Sequence, residues 1–389
     1  MAQVLANEGF DSKVPAKVTT IVDTPYFTPA QWDRLETQSR GSKITEQKWN
    51  QTKMEACSYI AAVGTKLGCP QRTMGTAQLL YQRFHLFYPP SDFSHHEVAL
   101  ACLFSAAKMN DTQKRLHEVV LTNYSFQFPE LLPTPSSMDQ RNVPADWLAH
   151  THVSESDVSS SMIQQDQQRL LQLERLLLQC ICFNFQLRSQ HILRWTIKLA
   201  QTWKLSKSSA GVAWRVASDS HRTNMPLLYP PHTIAMGSLC VATALCHVMG
   251  TSATEEEQKC WAPSTWDDAW TIVQEDVDEV ALAILELYAS QASLVDAPHT
   301  QRAIPWHVIY PPPLGLLCLC EAGLKDLGAS VTQAQIWTRQ QIQTRTTKEP
   351  VSQPQQAHRA ARAQDTLPSN LYRRPDDTTR GTATRYLLS

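Results

Sequence analysis

Ten consecutive residues, Val98 to Ala107 (VALACLFSAA), carry no charge and no strong helix breaker. They are apolar or small all the way round. A helix of that composition has no face to offer water, so it belongs in the middle of a core with neighbours on every side. At about ten residues it is too short to cross a bilayer. Ser94 and Glu97 stand ahead of it at capping-box spacing, which predicts a serine oxygen on an orphan N–H and a glutamate reaching back. Lys108 and the turn-prone Asn110-Asp111 close it. The expectation is a buried helix that delivers one lysine to the surface.

The pattern returns 136 positions later. Tyr88-Pro89-Pro90 precedes the first copy, and Tyr229-Pro230-Pro231 precedes IAMGSLCVATALC. Aligning Val98 with Ile234 puts Ala101 on Gly237, Cys102 on Ser238, Leu103 on Leu239 and Ala106 on Ala242. A period this long points to a duplicated domain rather than a solenoid, whose units run to about 20–50 residues. Chance similarity between two Ala-, Leu- and Cys-rich helices is the competing reading, and the shared YPP entrance weighs against it.

With 389 residues there is room for two domains and a tail. Only 12 glycines and little strand alternation favour an all-α protein, and 11 tryptophans supply core material. A formal charge of −1 argues against nucleic acid as the main partner. The 10 cysteines lack paired CxxC spacing and read as buried small residues in a reducing compartment. The N-terminus has no basic or apolar signal region, and no segment reads as long enough for a membrane helix. No Gly-rich nucleotide loop, nucleophile elbow or HExxH is present, so neither catalysis nor a cofactor is expected. Adjacent His95 and His96 point different ways and read as a capping turn rather than metal ligands. Asp276, Asp278 and Glu279 read as a solvated face.

In chain order, a mobile lead-in gives way to a short helix capped by Thr28, with proline first and Gln31 closing the box. Longer helices are expected over Ile44–Leu67, from Pro70 to the Pro89-Pro90 stop, through the central stretch, and over Lys114–Tyr124. Ser125 to Met162 reads as an insertion. The fifth helix, Ile163–Cys182, carries a stripe of Leu170, Leu173, Leu177 and Ile181, broadened by Leu171 and Leu178, with Phe183 and Phe185 anchoring its exit. A second set spans Gln190–Leu205 (with Ile197 on its apolar face), Ser208–Met225, the echoed helix from His232, one begun by Ser264 and Asp267, and Val277–Ala289. The domains so drawn are a lead-in (1–26), a first bundle (27–188, with the 125–162 insertion), a second bundle (189–295) and a mostly disordered tail (296–389). Within the tail, Ile309–Leu319 reads as a helix docking back on the second bundle.

The residues resemble the cyclin box fold, and one branch of it most. GTKLGCPQRTMGTAQLLYQRFHLFY, ALACLFSAAKMNDT and LLQLERLLLQCICFNF are similar to the first box of the transcription cyclins of the K, T and L types. DSHRTNMPLLYPPHTIAMGSLCVATAL and WDDAWTIVQEDVDEVALAILELY are similar to their second box. Within the branch, the chain looks most like the cyclins that accompany the fungal kinase of the RNA polymerase II C-terminal repeats. The resemblance implies two tandem five-helix boxes and a regulatory, non-catalytic subunit. It implies a cyclin-dependent kinase catalytic subunit as partner, the polymerase repeats as substrate of the complex, and a nuclear location, and it leaves room for a third subunit. It also implies that Lys108 and Glu174 hold the kinase's regulatory helix.

Two departures bear on that assignment. Met109-Asn110-Asp111 stands where relatives often have an acidic pair after the lysine. Glu55 follows Met54 where cell-cycle cyclins carry an arginine of a substrate-docking patch, which puts docking of that kind in doubt. Three alternatives stay open at this point: a splicing-linked L-type cyclin, a double-cyclin-fold transcription factor gripping DNA, and a helical scaffold without a kinase.

Overall fold

The computed structural model describes residues 20–21, 26–128, 131–132, 151, 153–185, 190–250, 272–296, 311–346 and 387–388. The chain divides into two units. In the first, Met1–Pro25 with Pro368–Ser389, the described part is an antiparallel pairing of β1 (Thr20–Ile21) with β2 (Leu387–Leu388). The second unit, Tyr26–Leu367, is helical throughout its described regular structure.

The second unit opens with α1 (Pro29–Arg40), whose capping box forms as the sequence predicts: Thr28 Oγ1 accepts from the Gln31 N–H, and Gln31 answers on the Thr28 N–H. The first bundle follows as α2 (Glu46–Lys66), α3 (Gln71–Phe84), α4 (His95–Met109), α5 (Leu116–Gln127) and α6 (Ser160–Cys180). Helix α4 lies at its centre, packed on α2, α3, α5 and α6. Every residue from Val98 to Ala107 is buried, and full burial of each large side chain among them stabilises by roughly 1.5–3 kcal/mol. Its start differs from expectation. Ser94 makes no capping hydrogen bond, and the Glu97 carboxylate pairs with Arg169 of α6 at 3.1 Å.

The second bundle is built from α7 (Gln190–Thr202), α8 (Lys207–Asp219), the four-residue α9 (Met225–Leu228), α10 (Pro231–Val248) and α11 (Gln274–Asp296). Helix α10 takes the central place, against α7, α8 and α11. Gly237, aligned with Ala101, explains the small-residue pattern: a Cβ there would meet Val280 Cγ1 at 2.6 Å, so α10 and α11 approach closely. By length and composition α10 could cross a membrane, contrary to the sequence reading, but 83% of it is buried inside the bundle. The helix expected from Ser264 lies outside the described residues.

Two further helices, α12 (Leu314–Glu321) and α13 (Leu327–Thr346), pack back on α8, α11 and α10. The first is the docking helix expected within Ile309–Leu319. The second lies inside the stretch expected to be mostly disordered. The acidic residues near the start of α11 do not form a solvated face: Asp276 and Asp278 are buried, and Glu279 accepts from the Tyr229 hydroxyl at 2.5 Å.

Arg222 joins the two bundles. It lies in a single 3-10 turn after α8 and is 4% exposed. Its guanidinium donates to Ser58 Oγ on α2 at 2.8 Å and to the Pro311 carbonyl at 3.3 Å, with Asp219 at 3.8 Å. Gln82 on α3 adds donations to the carbonyls of His221 and Thr223 at 2.8 and 3.0 Å.

Candidate functional site

Helix α4 ends on its lysine. Lys108 sits in the last turn, where a cation complements the helix dipole. Helix α6 crosses α4, burying Leu170, Leu173 and Leu177 between them and α5. Glu174 lies on that same stripe, with Leu170 four residues before and Leu177 three after. A carboxylate so placed needs a partner. Lys108 Nζ donates to both Glu174 oxygens at 2.9 Å. Ser105 Oγ adds a weaker contact at 3.4 Å, and the ammonium stands 4.1 Å from the Phe104 ring centre.

The pair is asymmetric. The Glu174 side chain is 11% exposed and that of Lys108 is 46% exposed. An ammonium carries three donors, and two are committed to Glu174. The structure therefore brings the two predicted residues together as a preformed pair with a cation facing outward.

The neighbouring departure has a local explanation. Asn110 is buried, and its amide donates to the Ala106 carbonyl at 3.0 Å and to Thr76 Oγ1 at 3.1 Å. It closes the C-terminus of α4 rather than facing a partner. Asp111 follows in a left-handed conformation, φ 56°.

Sequence reasoning missed part of the surface around the pair. Leu171 was expected to broaden the buried stripe, and Phe183 and Phe185 to anchor the helix exit. They are instead 45%, 61% and 43% exposed. The reason is geometric: α6 contacts its bundle along one narrow stripe, and left-handed turns at Cys182 and Phe183 carry the chain away from the core. The signal available in the sequence was an excess of apolar residues over what one helix face can bury. Ile197 on α7 is likewise exposed rather than on the packed face.

Among the described residues no group of histidines, cysteines and carboxylates is placed to hold a metal ion. The rings of His95 and His96 lie against each other, centres 3.9 Å apart and tilted by 38°. Burial pushes the thiol of Cys57 up to about 12 and that of Cys180 to about 12, so neither supplies a thiolate.

Two helical bundles, each wound round a buried central helix, with a half-exposed ion pair at the rim of the first, define a cyclin-fold protein. A chain of the crystal structure of the yeast RNA Pol II CTD kinase complex has the same fold, with a TM-score of 0.52 and 19% identity over 78% of this chain and 84% of that one. In sequence the chain is 33% identical over 221 residues to the CTD kinase subunit beta of Schizosaccharomyces pombe, covering 57% of this chain and 58% of the relative. It is 25% identical over 268 residues to human cyclin-K, covering 67% and 39%. A rice protein, Cyclin-T1-3, is 25% identical over 286 residues, covering 69% and 52%. No protein-family model matches the chain. Over these stretches the chain is similar to transcription-type cyclins, and it spans about half the length of the curated relatives it matches.

Proposed function

We propose that the chain is the regulatory, non-catalytic subunit of a cyclin-dependent kinase that phosphorylates the C-terminal repeats of RNA polymerase II in the nucleus. The observation that carries the reading is the Lys108–Glu174 pair, held by α4 and α6 and left half open. A kinase of this kind is switched on when a glutamate of its regulatory helix swings in to pair with the ATP-binding lysine. Moving a mostly inactive kinase to a mostly active one takes about 5.5 kcal/mol of differential binding. A rigid surface of about 2,000 Å² or more can supply it. Lys108 offers its remaining donor to a carbonyl or carboxylate on the kinase, and Glu174 holds the lysine in place. Leu171, Phe183 and Phe185, exposed on α6 and its exit, supply apolar area for the same contact.

The experiment is co-expression of the full chain with a cyclin-dependent kinase catalytic subunit, followed by phosphorylation of a polymerase repeat peptide. The reading requires a stable complex, and phosphorylation well above that of the kinase alone. A folded chain that neither binds nor activates such kinases would remove it.

A further inference from the structure

A crevice of about 320 Å³ opens on the first bundle, between the start of α2, the end of α3 and the loop that leads into α4. It lies at the opposite end of α4 from Lys108, about 20 Å away along the helix axis at 1.5 Å per residue. Trp49 and Phe93 form apolar walls, and Lys43 and Lys48, both exposed, stand in its lining. Tyr81 also lines it and is 0% exposed. Its hydroxyl has no hydrogen-bond partner among the described residues, nor has Nε2 of His95, another lining residue.

Buried polar groups are nearly always satisfied, and a hydroxyl left without a partner carries a desolvation cost. The neighbouring polar groups are committed elsewhere. Trp49 Nε1 donates to Glu36 at 2.9 Å, and Thr52 Oγ1 donates to the Lys48 carbonyl at 2.9 Å. Burial raises Tyr81 well above its ordinary range and lowers His95, which keeps the phenol protonated and the imidazole neutral at pH 7. The phenol is then a donor, and so is the imidazole in its Nε2–H tautomer. The two lysines add ammonium donors at the mouth, where Asp92 stands 4.0 Å from Lys43, and no carboxylate lines the crevice itself. Glu55 acts electrostatically on both Tyr81 and His95 from α2 without lining the space.

We propose that this crevice binds a glutamate or aspartate side chain from an acidic peptide segment, with the carboxylate on Tyr81 and His95 and the peptide backbone passing between Lys43 and Lys48. The volume lies at the lower end of the range for ligand pockets, about 300–1,000 Å³, which suits one side chain and its flanks. Neutral donors within and cations only at the exposed mouth favour a monoanion. A phosphomonoester would bring up to two charges into the interior without a buried cation to meet them. The site is separate from Lys108 and Glu174, and it stands or falls independently of the kinase reading.

The test uses the full chain and three labelled dodecapeptide pools, identical except for a central Glu, Gln or phosphoserine, with binding read by fluorescence anisotropy. The Glu pool should bind about tenfold more tightly than the Gln pool. Tyr81→Phe should remove about tenfold of the Glu-pool affinity without lowering the melting temperature, because the hydroxyl has no partner among the described residues. Lys48→Glu, an exposed change that places an anion at the mouth, should weaken the Glu pool more than the Gln pool. Association with a kinase, measured alongside, should be unchanged in both variants. Equal binding of the Glu and Gln pools, preference for phosphoserine, or undiminished Glu-pool affinity in both variants would overturn the proposal.

Discussion

The carboxylate of Asp219, at the end of α8, accepts the hydroxyl of Tyr288 from α11 at 2.9 Å. The same carboxylate caps α12, accepting from the N–H groups of Leu314 at 2.8 Å and Gly315 at 2.6 Å. One side chain, 1% exposed, therefore ties together two helices of the second bundle and the first turn of the C-terminal extension. Asp219→Ala leaves a buried phenol and two helix N–H groups without an acceptor and Arg222 without its nearby anion. The expected loss is about 3–5 kcal/mol. Thermal melts and urea titrations of the full chain check it. A loss under about 1 kcal/mol, the size of a loose surface contact, would mean that the carboxylate is only weakly engaged.

Gly315 is the position where the extension meets Tyr288 most closely, since a Cβ there would overlap the phenol oxygen. Gly315→Ala should lift the start of α12 from α11 while leaving the first bundle intact. Hydrogen exchange is the measurement: faster exchange confined to α12 and the helices around it is expected. Unchanged protection of Leu316 and Leu319, both 0% exposed, would contradict this close packing.

Truncation separates the extension from the residues beyond it. Ending the chain after residue 347 should leave the folding of the second unit and kinase association intact, although it removes β2, because the remainder is rich in Gln, Arg, Thr and Pro and offers little apolar surface to offset ordering entropy. Ending it after residue 310 removes α12 and α13 and uncovers Tyr288 and Leu285, both 0% exposed. That chain should melt several degrees lower or aggregate. Equal stability of the two truncations would make α12 and α13 ornaments rather than part of the second bundle.

Burial lowers His85, His96 and His232 from 6.5 to about 4 each. Below about pH 6.5 the unfolded chain takes up protons on these rings and the folded chain does not. The unfolded state then binds more protons, so stability falls as the pH falls. Their contribution is fully present above about 6.5 and is lost between about 6.5 and 4, at up to about 1.4 kcal/mol per ring per pH unit. Urea midpoints at pH 7.5, 6 and 5 test this, and a flat profile across that range would contradict the burial of these rings.

The parts of the fold legible in the sequence were those set by burial and local spacing. An uncharged stretch at Val98–Ala107 and its echo at Ile234 could only be central, and Thr28 with Gln31 had no competing partner nearby. Ser94 and Glu97 had the same spacing but not the same outcome, and the Glu97 carboxylate pairs with Arg169 from a helix more than sixty positions away. Helix α13 was hidden by its Gln and Thr content. It is held by tertiary contacts a pattern search does not see: Trp337 stacked on His247 with ring centres 5.3 Å apart, and Gln335 donating to the Leu285 carbonyl at 3.3 Å. Lys108 and Glu174 were singled out by the family resemblance, and the need of Glu174 for a partner by its place on a leucine stripe. Their mutual pairing was not, since nothing in a linear sequence says that α6 crosses the end of α4.

That pairing makes the central claim measurable. Lys108 and Glu174 touch each other before any partner arrives, so the two should be coupled in binding. The isolated chain should lose about 1 kcal/mol for Glu174→Ala and more for Lys108→Ala, which leaves a buried carboxylate with only the weak Ser105 contact. In complex with the kinase, truncating either member of a desolvated pair costs about 2–5 kcal/mol, or roughly 30- to several-thousand-fold in affinity. The decisive measurement is kinase affinity for the wild type, Lys108→Ala, Glu174→Ala and the double variant, with a melt of each chain alone. The account predicts large single losses, a double variant costing less than their sum, and melting temperatures within a few degrees of the wild type. Wild-type affinity in both single variants would contradict it.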